Sequence, residues 1–373
     1  MNLYFKLTYL FFFAFFACGD KETIVNKDDV VTSDEHSTKE ANQLYRSLHD
    51  YMDAGILLGH QDALAYGSTW YGESGRSDVK SACGDFPAVY GWNLGKFESG
   101  ALFNVDSVFF TDITKLIIDV NNRKGISVIS WYADNPITGN SYDAGSDKNI
   151  VASLLPNGNN HAKYLRYLDR FASFFLNLKN KTGEYIPVIL RPFHDYNDVS
   201  YWWGHKYCSP EEYKELWKTT VNYLRNEKQI HHLLYLYSVY SPKIIDSVTE
   251  SYQGDKYVDI IGADLFLNLE EDPEGNIYKK NLDRSLSVVT GFSKEHKKIP
   301  VISCTGLDGI RISNYFTNLV YPAISKYSIS YILFWRNAWN DEEHYFIPVP
   351  GHPANDNFFE FVSNNRILTL KKI

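Results

Sequence analysis

Cysteine and methionine are scarce in this chain of 373 residues, at four and two residues, and it has neither a dense basic run nor an apolar run long enough to span a bilayer. Each absence closes a class of explanation. Beyond Cys18, the remaining Cys83, Cys208 and Cys304 are too few and too far apart for a metal cluster, and an odd set cannot form a disulfide framework. The adjacent His231 and His232 point to opposite sides of whatever element holds them, so no metal and no other cofactor is expected. With 37 Lys and Arg against 45 Asp and Glu, the net charge is −8. Nucleic acid is therefore not an expected partner. At 44% apolar and 22% charged, with 13 Pro, 23 Gly and no internal repeat, the chain is neither collagen, coiled coil nor wholly disordered. Aromatic rings are plentiful instead: 28 Tyr, 23 Phe and 8 Trp make up 16% of the residues. Such a content suits either stacking of flat rings on a ligand or an aromatic core.

The first residues read as an address. After Lys6, an apolar run from Leu7 to Ala17 stops at Cys18, and it is shorter than the roughly 20 residues a spanning helix needs. Residues 1–18 are expected to be a secretory signal. Phe-Phe-Ala-Cys at its end resembles a bacterial lipobox, in which Cys18 carries the lipid. Residues 19–41, rich in acids and poor in large apolar groups, are expected to be a disordered tether. They resemble the surface-export signals of Bacteroides-type lipoproteins. The expectation is an extracytoplasmic protein held at the outer membrane or cell surface through a lipid anchor at Cys18, with one folded domain over 42–373.

Within that domain, short β-branched or aromatic runs alternate with stretches of helical period. The runs are Gly55–His60, Ala88–Leu94, Gly125–Tyr132, Ile186–His194, Leu233–Tyr240, Val258–Phe266, Ile299–Thr305 and Ser330–Asn337. Helices are predicted over His161–Asn180 and Pro210–Asn226, where apolar residues recur at steps of three and four. Eight strand–helix units predict an α/β fold of the (β/α)8 TIM-barrel class, whose reactive groups stand at the C-terminal ends of the strands. Polar residues gather at those ends: His60 to Asp62, Tyr132 to Asn135, Arg191 to Asp195, Asp264, Cys304 and Trp335 to Asn337. A ligand site is expected on that rim.

The segments GHQDALAYG (59–67), SDVK (77–80), GDFPAVYGWNLG (84–95), SWYADNPITG (130–139), RPFHDYNDVSYWWG (191–204), YVDIIGADLF (257–266), KIPVISCTG (298–306) and YILFWRNA (331–338) resemble, in order, the strand-end motifs of glycoside hydrolase family 26, the family of retaining β-mannanases. The resemblance implies a β-mannan or related hemicellulose oligosaccharide as partner. It places the family's acid/base, the Glu after Arg-Pro-x-His, at Asp195, whose carboxyl is drawn back by roughly 1.5 Å, one carbon–carbon bond. Misplacement on the order of 1 Å can cost about 100-fold. It places the nucleophile, the Glu of Thr-Glu-x-Gly, at Cys304, which brings no charge to an oxocarbenium-like transition state. The family's Ser-Trp-His reads Ser130-Trp131-Tyr132 here, its Asp-x-Tyr reads Asp264-Leu265-Phe266, and its sugar-stacking Trp five residues after the acid/base is Ser200. Arg191, His194, Trp202, Trp203 and Trp335 match the family, and Asn135 opens the loop after the third strand. With Tyr132, Asp264 and Phe266, these are the expected substrate-binding residues; for His60, Gln61, Trp202, Trp203 and Asn135 a structural role is equally open.

Three functions follow from that pattern. The barrel binds a mannan-like glycan with little or no cleavage. Alternatively it hydrolyses mannan or another hemicellulose through Asp195 and a rearranged second carboxylate, Asp264 or Asp308. In the third case it is a structural partner in a surface glycan-utilisation assembly.

Overall fold

The computed structural model of the chain describes residues 31–139, 142 and 149–373. Its centre is a closed parallel barrel of eight strands: β1 (Ile56–Gln61), β2 (Val89–Asn93), β3 (Ile126–Trp131), β4 (Val188–Pro192), β5 (Leu233–Tyr240), β6 (Ile260–Leu267), β7 (Ile299–Leu307) and β8 (Tyr331–Phe334). Each pairs in parallel with its sequence neighbour, and β1 closes on β8 with Leu57 opposite Tyr331. All eight fall on the predicted runs, within a few residues at each end.

Burial on both faces explains why these strands read as nearly unbroken apolar runs. Alternation then sorts the side chains. Leu57, Val89, Val128, Ile189, Leu234, Leu236, Ile260, Val301 and Leu333 fill the interior. Leu58, Tyr90, Ile129, Leu190, Tyr235, Ile261 and Ile332 face the surrounding helices. Those helices include α1 (Lys39–Ala54), α2 (Phe110–Asn122), α3 (His161–Asn177), α4 (Pro210–Asn222), α5 (Asn276–His296) and α6 (Asn355–Ser363). The α4 start carries a full capping box, with Ser209 Oγ accepting from Glu212 N and the Glu212 carboxylate accepting from Ser209 N. The predicted helices 161–180 and 210–226 end slightly early, the second passing into a wider turn over Tyr223–Glu227.

The bottom of the barrel is stoppered by α1, whose Tyr45 and Leu48 join the interior cluster. Burying such a side chain contributes about 1.5–3 kcal/mol. Here the tether expectation is corrected at its C-terminal end. Ser33 N donates to the Asp259 carboxylate, Asp34 pairs with His231 at 2.9 Å and with Arg225 at 3.6 Å, and Thr38 N donates to His231 O. Asp34, which read as part of a solvated run, is partnered on the barrel floor, so residues 33–38 belong to the folded domain. His231 and His232 do diverge: His232 stacks on Tyr185 at 4.6 Å while His231 takes Asp34. Cys18 and the proposed signal lie outside the described residues. No helix among the described residues is long and apolar enough to cross a membrane.

Candidate functional site

Above the aliphatic interior, the inward positions turn polar. Arg191 on β4 is 2% exposed, and its guanidinium holds both oxygens of Asp264 on β6, at 2.6 and 2.8 Å. Arg191 Nε donates to Ser130 Oγ on β3 at 3.1 Å, and Ser303 Oγ on β7 donates to Asp264. Four strands are thus tied across the barrel by one bidentate pair and two hydroxyls. Burial disfavours the charged guanidinium, but Asp264 and Asp195 more than offset it and hold Arg191 ionised.

Ser303 enters this layer because β7 carries a bulge. Ala263 faces Ile302, and the next residue, Asp264, faces Cys304; toward β8, Ile332 faces Ile302 while Phe334 faces Thr305. One extra residue lets Ser303 and Cys304 both point inward, breaking the strict alternation. Cys304 is 2% exposed, and burial first, then Asp264, pushes its thiol well above the ordinary range. It stays protonated and is a poor nucleophile.

After β4 the chain makes an unusual turn. Phe193 and Asp195 both have positive φ, at 45° and 56°, a costly backbone state for an aromatic residue. Three hydrogen bonds fix three consecutive residues: Tyr213 OH donates to Phe193 O at 2.6 Å, Trp203 Nε1 to His194 O at 2.8 Å, and Asp195 N to Ser238 O at 3.1 Å. The turn sends Asp195 inward, where it is 4% exposed. Burial first, and the Asp264 carboxylate second, raise the Asp195 pKa well above the usual carboxylate range. Ser238 Oγ lies 3.4 Å from its Oδ1. His194 is held neutral, its pKa lowered by burial and by Arg191, and its Nε2 meets Tyr201 OH at 3.1 Å.

The Tyr132 ring stands at the centre of the rim, 4.4 Å from His194, 5.4 Å from Tyr142 and 6.4 Å from Trp335, by ring centroids. Burial raises its phenol pKa well above the ordinary value. Phe266 and Trp335 are half-buried at the mouth, over the aliphatic interior. These three rings are the expected binding residues that reach the surface.

The other expected contacts are buried. Trp202 and Trp203 are fully buried, their indole N–H groups donating to Ala133 O and His194 O. They shape the loop after β4 and cannot stack on a sugar. Asn135 is also buried, its side-chain oxygen accepting from Ile137 N and Thr138 N in a turn. Arg191, His194 and Asp264 lie beneath the mouth and position what is above them. Ser200 is exposed in a turn closed by Asp198. His60 is buried with its pKa lowered to about 4 by burial, and Gln61 donates to Asp62.

Sequence reasoning named Asp62 and Arg336 on this rim but passed over the acids Asp106 and Glu98. Arg336 pairs with Asp106 at 3.1 Å, and burial first, then Asp106, raise the pKa of Asp62 to about 7. Glu98, fully buried, accepts from Asp134 N at 2.6 Å, and burial raises its pKa to about 7. Neither acid is marked by a motif; only the fold brings them indoors. No group of three or more His, Cys, Asp or Glu able to hold a metal ion occurs among the described residues.

The glycosyl hydrolase family 26 model matches residues 32–313. The chain belongs to glycosyl hydrolase family 26. A family 26 β-mannanase structure from Bacteroides ovatus superposes with a TM-score of 0.86 at 38% identity, over 90% of this chain and 96% of that one. A family 26 protein from Muricauda gives 0.86 at 25% identity, over 95% of this chain and 98% of the other. A mannan endo-1,4-beta-mannosidase from Bifidobacterium adolescentis is 27% identical over 371 residues, 93% of this chain but 36% of its own length. The next two relatives, both Bacillus subtilis mannan endo-1,4-beta-mannosidases, are covered over 56% and 52% of theirs, so the chain spans about a third to just over half of these three. The family 26 barrel is thus β-mannanase-like in fold, with Asp195 and Cys304 at the ends of β4 and β7.

Proposed function

We propose that this family 26 barrel binds a β-mannan-like glycan with little or no hydrolysis, displayed at the cell surface through a lipid on Cys18. Asp195 and Cys304 are taken to stand at the family's acid/base and nucleophile positions. The reading rests on Cys304: the residue taken for the nucleophile position is a thiol, 2% exposed and pushed well above its ordinary pKa by burial, so no carboxylate stands there. Cleavage with retention needs two carboxyls about 5–5.5 Å apart, and inversion needs about 6.5–9.5 Å. Asp264 is already held by the Arg191 guanidinium at 2.6 Å. We therefore favour binding over a rearranged pair of Asp195 with Asp264. Asp308 is largely exposed and turned to His344 at 3.3 Å, so nothing draws it toward the centre. Trp335, Phe266 and Tyr132 still offer ring faces at the mouth, as sugar recognition requires.

The test is affinity electrophoresis of the soluble domain in galactomannan, glucomannan and xylan gels, with reducing ends assayed in parallel. Retardation without product is expected. Turnover that vanishes in Asp195→Ala overturns the reading in favour of a slow hydrolase, and failure of every glycan to retard the protein leaves a structural role in a surface assembly. For the anchor, incorporation of labelled palmitate by whole cells and its loss in Cys18→Ala are expected.

A further inference from the structure

A second cleft lies beside the barrel mouth and shares no residue with the site above. It has a volume of about 370 Å³ and is bounded by the loop Tyr71–Gly75 on one side and by Asp112, Lys115, Leu116 and Asp119 of α2 on the other, with Leu64 and Val108 among its apolar lining. That volume is within the range of small-molecule sites.

Tyr71 is its aromatic wall, and the ring is held in place. The short antiparallel strands Tyr66–Gly67 and Trp70–Tyr71 pair Tyr66 with Tyr71, so the two rings stack at 6.4 Å and within 2° of parallel. Tyr66 is buried and its hydroxyl is fixed on Asp62 at 2.7 Å. The Tyr71 hydroxyl donates to Ser107 O at 2.8 Å, and Trp339 meets its ring edgewise at 5.3 Å. Tyr71 nevertheless stays 39% exposed. A large ring kept in the open but already immobilised loses little entropy when a ligand stacks on it.

The charges of the cleft are matched in pairs. Glu73 is bonded to Arg76 at 2.9 Å, Asp112 to Lys115 at 2.8 Å, and Asp119 to Arg123 at 2.7 Å. Each lining carboxylate carries its own cation, so the cleft offers hydrogen-bonding groups without a net field to attract an ion or a charged peptide. An open ring, an apolar floor and a neutralised polar rim fit an uncharged polyhydroxylated ring, with the flat C–H face on Tyr71 and hydroxyls toward the paired charges.

We infer that the cleft between Tyr71 and α2 is a second carbohydrate-binding site, taking one segment of a neutral polysaccharide while another segment occupies the mouth. The ligand class rests on the reading of the barrel as a glycan binder, and the two ideas fail separately. A polymer that engages both places gains avidity through effective concentration, whereas a short oligosaccharide does not.

The experiment compares wild type, Tyr71→Ala, Tyr71→Phe, Trp335→Ala and Tyr71→Ala/Trp335→Ala in galactomannan and glucomannan gels, and titrates mannotriose into each. Thermal melts verify that every variant is folded. Tyr71→Ala is expected to weaken polymer retention about tenfold, equivalent to about 1.4 kcal/mol, to leave mannotriose binding at the mouth within about twofold, and to lose no more than a small part of its stability. Tyr71→Phe, which keeps the ring, is expected to retain the polymer. Polymer retention equal to wild type in Tyr71→Ala overturns the second site and leaves the mouth reading intact. If Trp335→Ala changes nothing while Tyr71→Ala abolishes retention, the mouth reading falls and the second site stands; if no polysaccharide retards the wild type, both fall.

Discussion

The raised pKa of Asp195 has a consequence for stability that one substitution isolates. Its folded pKa is raised by burial and by Asp264, whereas in the unfolded chain it ionises near the usual value of about 3.9. Below that value both states hold the proton. As pH rises toward the folded pKa, only the unfolded state releases it, so the fold loses about 1.4 kcal/mol per pH unit. The sign is that of a group whose raised pKa contributes stability in acid and forfeits it toward neutrality. Asp195→Asn keeps the shape, donates an amide N–H to Asp264 and has no proton to lose. The folded domain spans about 340 residues, for which an unfolding entropy of about 2.1 cal/mol/K per residue converts 1.4 kcal/mol into roughly 2 °C. The melting temperature of Asp195→Asn should therefore gain on wild type by about 2 °C for each pH unit as pH rises from about 5 toward the folded pKa of Asp195. Other buried acids, Glu98 and Asp62 among them, titrate in both proteins and cancel in the difference. Calorimetry across that range is the assay. Parallel curves, or an Asn variant that is less stable by a constant amount, would refute the claim that burial and Asp264 raise the Asp195 pKa.

Asp264→Asn leaves the guanidinium of Arg191 buried with half its partner gone, and urea unfolding should show a loss of about 3–5 kcal/mol. Trp203→Phe removes the donor to His194 O; with that carbonyl unsatisfied, the domain should lose about 1–3 kcal/mol in the same assay. The double change Asp195→Glu, Cys304→Glu should stay at background in reducing-end assays on mannan, because Tyr132 still occupies the centre of the rim; adding Tyr132→His and Phe266→Tyr should bring release above background. Asp34→Ala breaks the pairs to Arg225 and His231, so amide exchange over residues 32–38 should quicken while the barrel strands keep their protection.

The eight strands were legible because a parallel barrel buries both faces of every strand, and that requirement writes itself into the sequence as short apolar runs. The positions of Arg191, Asp264, Cys304 and Trp335 on one rim followed from the same reading. Their depth did not. Periodicity says which way a side chain points and not what covers it, so for Trp202 and Trp203 binding and packing stayed equally open, although each is sealed and donates to a backbone carbonyl. The bulge at Ser303 breaks the alternation on which strand reading depends, and no Gly or Pro marks it. The positive φ of Phe193 was equally hidden, since a Phe gives no sign of a left-handed backbone. Residues 32–38 misled for a different reason: their composition suits a solvated tether, and the partners that order them, Asp259, Arg225 and His231, lie some 200 positions away in sequence.

The polar layer also explains why matching family residues say little about chemistry here. Arg191 and Asp264 are each nearly sealed from water and share two hydrogen bonds, while Ser130 Oγ accepts from Arg191 Nε and Ser303 Oγ donates to Asp264. Removing either partner strands a charge in the barrel, a cost of several kcal/mol against a total stability of about 5–15. Folding alone is sufficient reason for Arg191 and Asp264 to persist. The same holds for Trp203, whose indole secures the turn that carries His194. At the mouth and the centre stand Asp195, Cys304, Tyr132, Phe266 and Ser200, and the proposal of little or no hydrolysis takes these five to replace the residues that the family chemistry asks for. A barrel can therefore keep the scaffold of a mannanase under stability alone, and the question of activity falls on those five side chains.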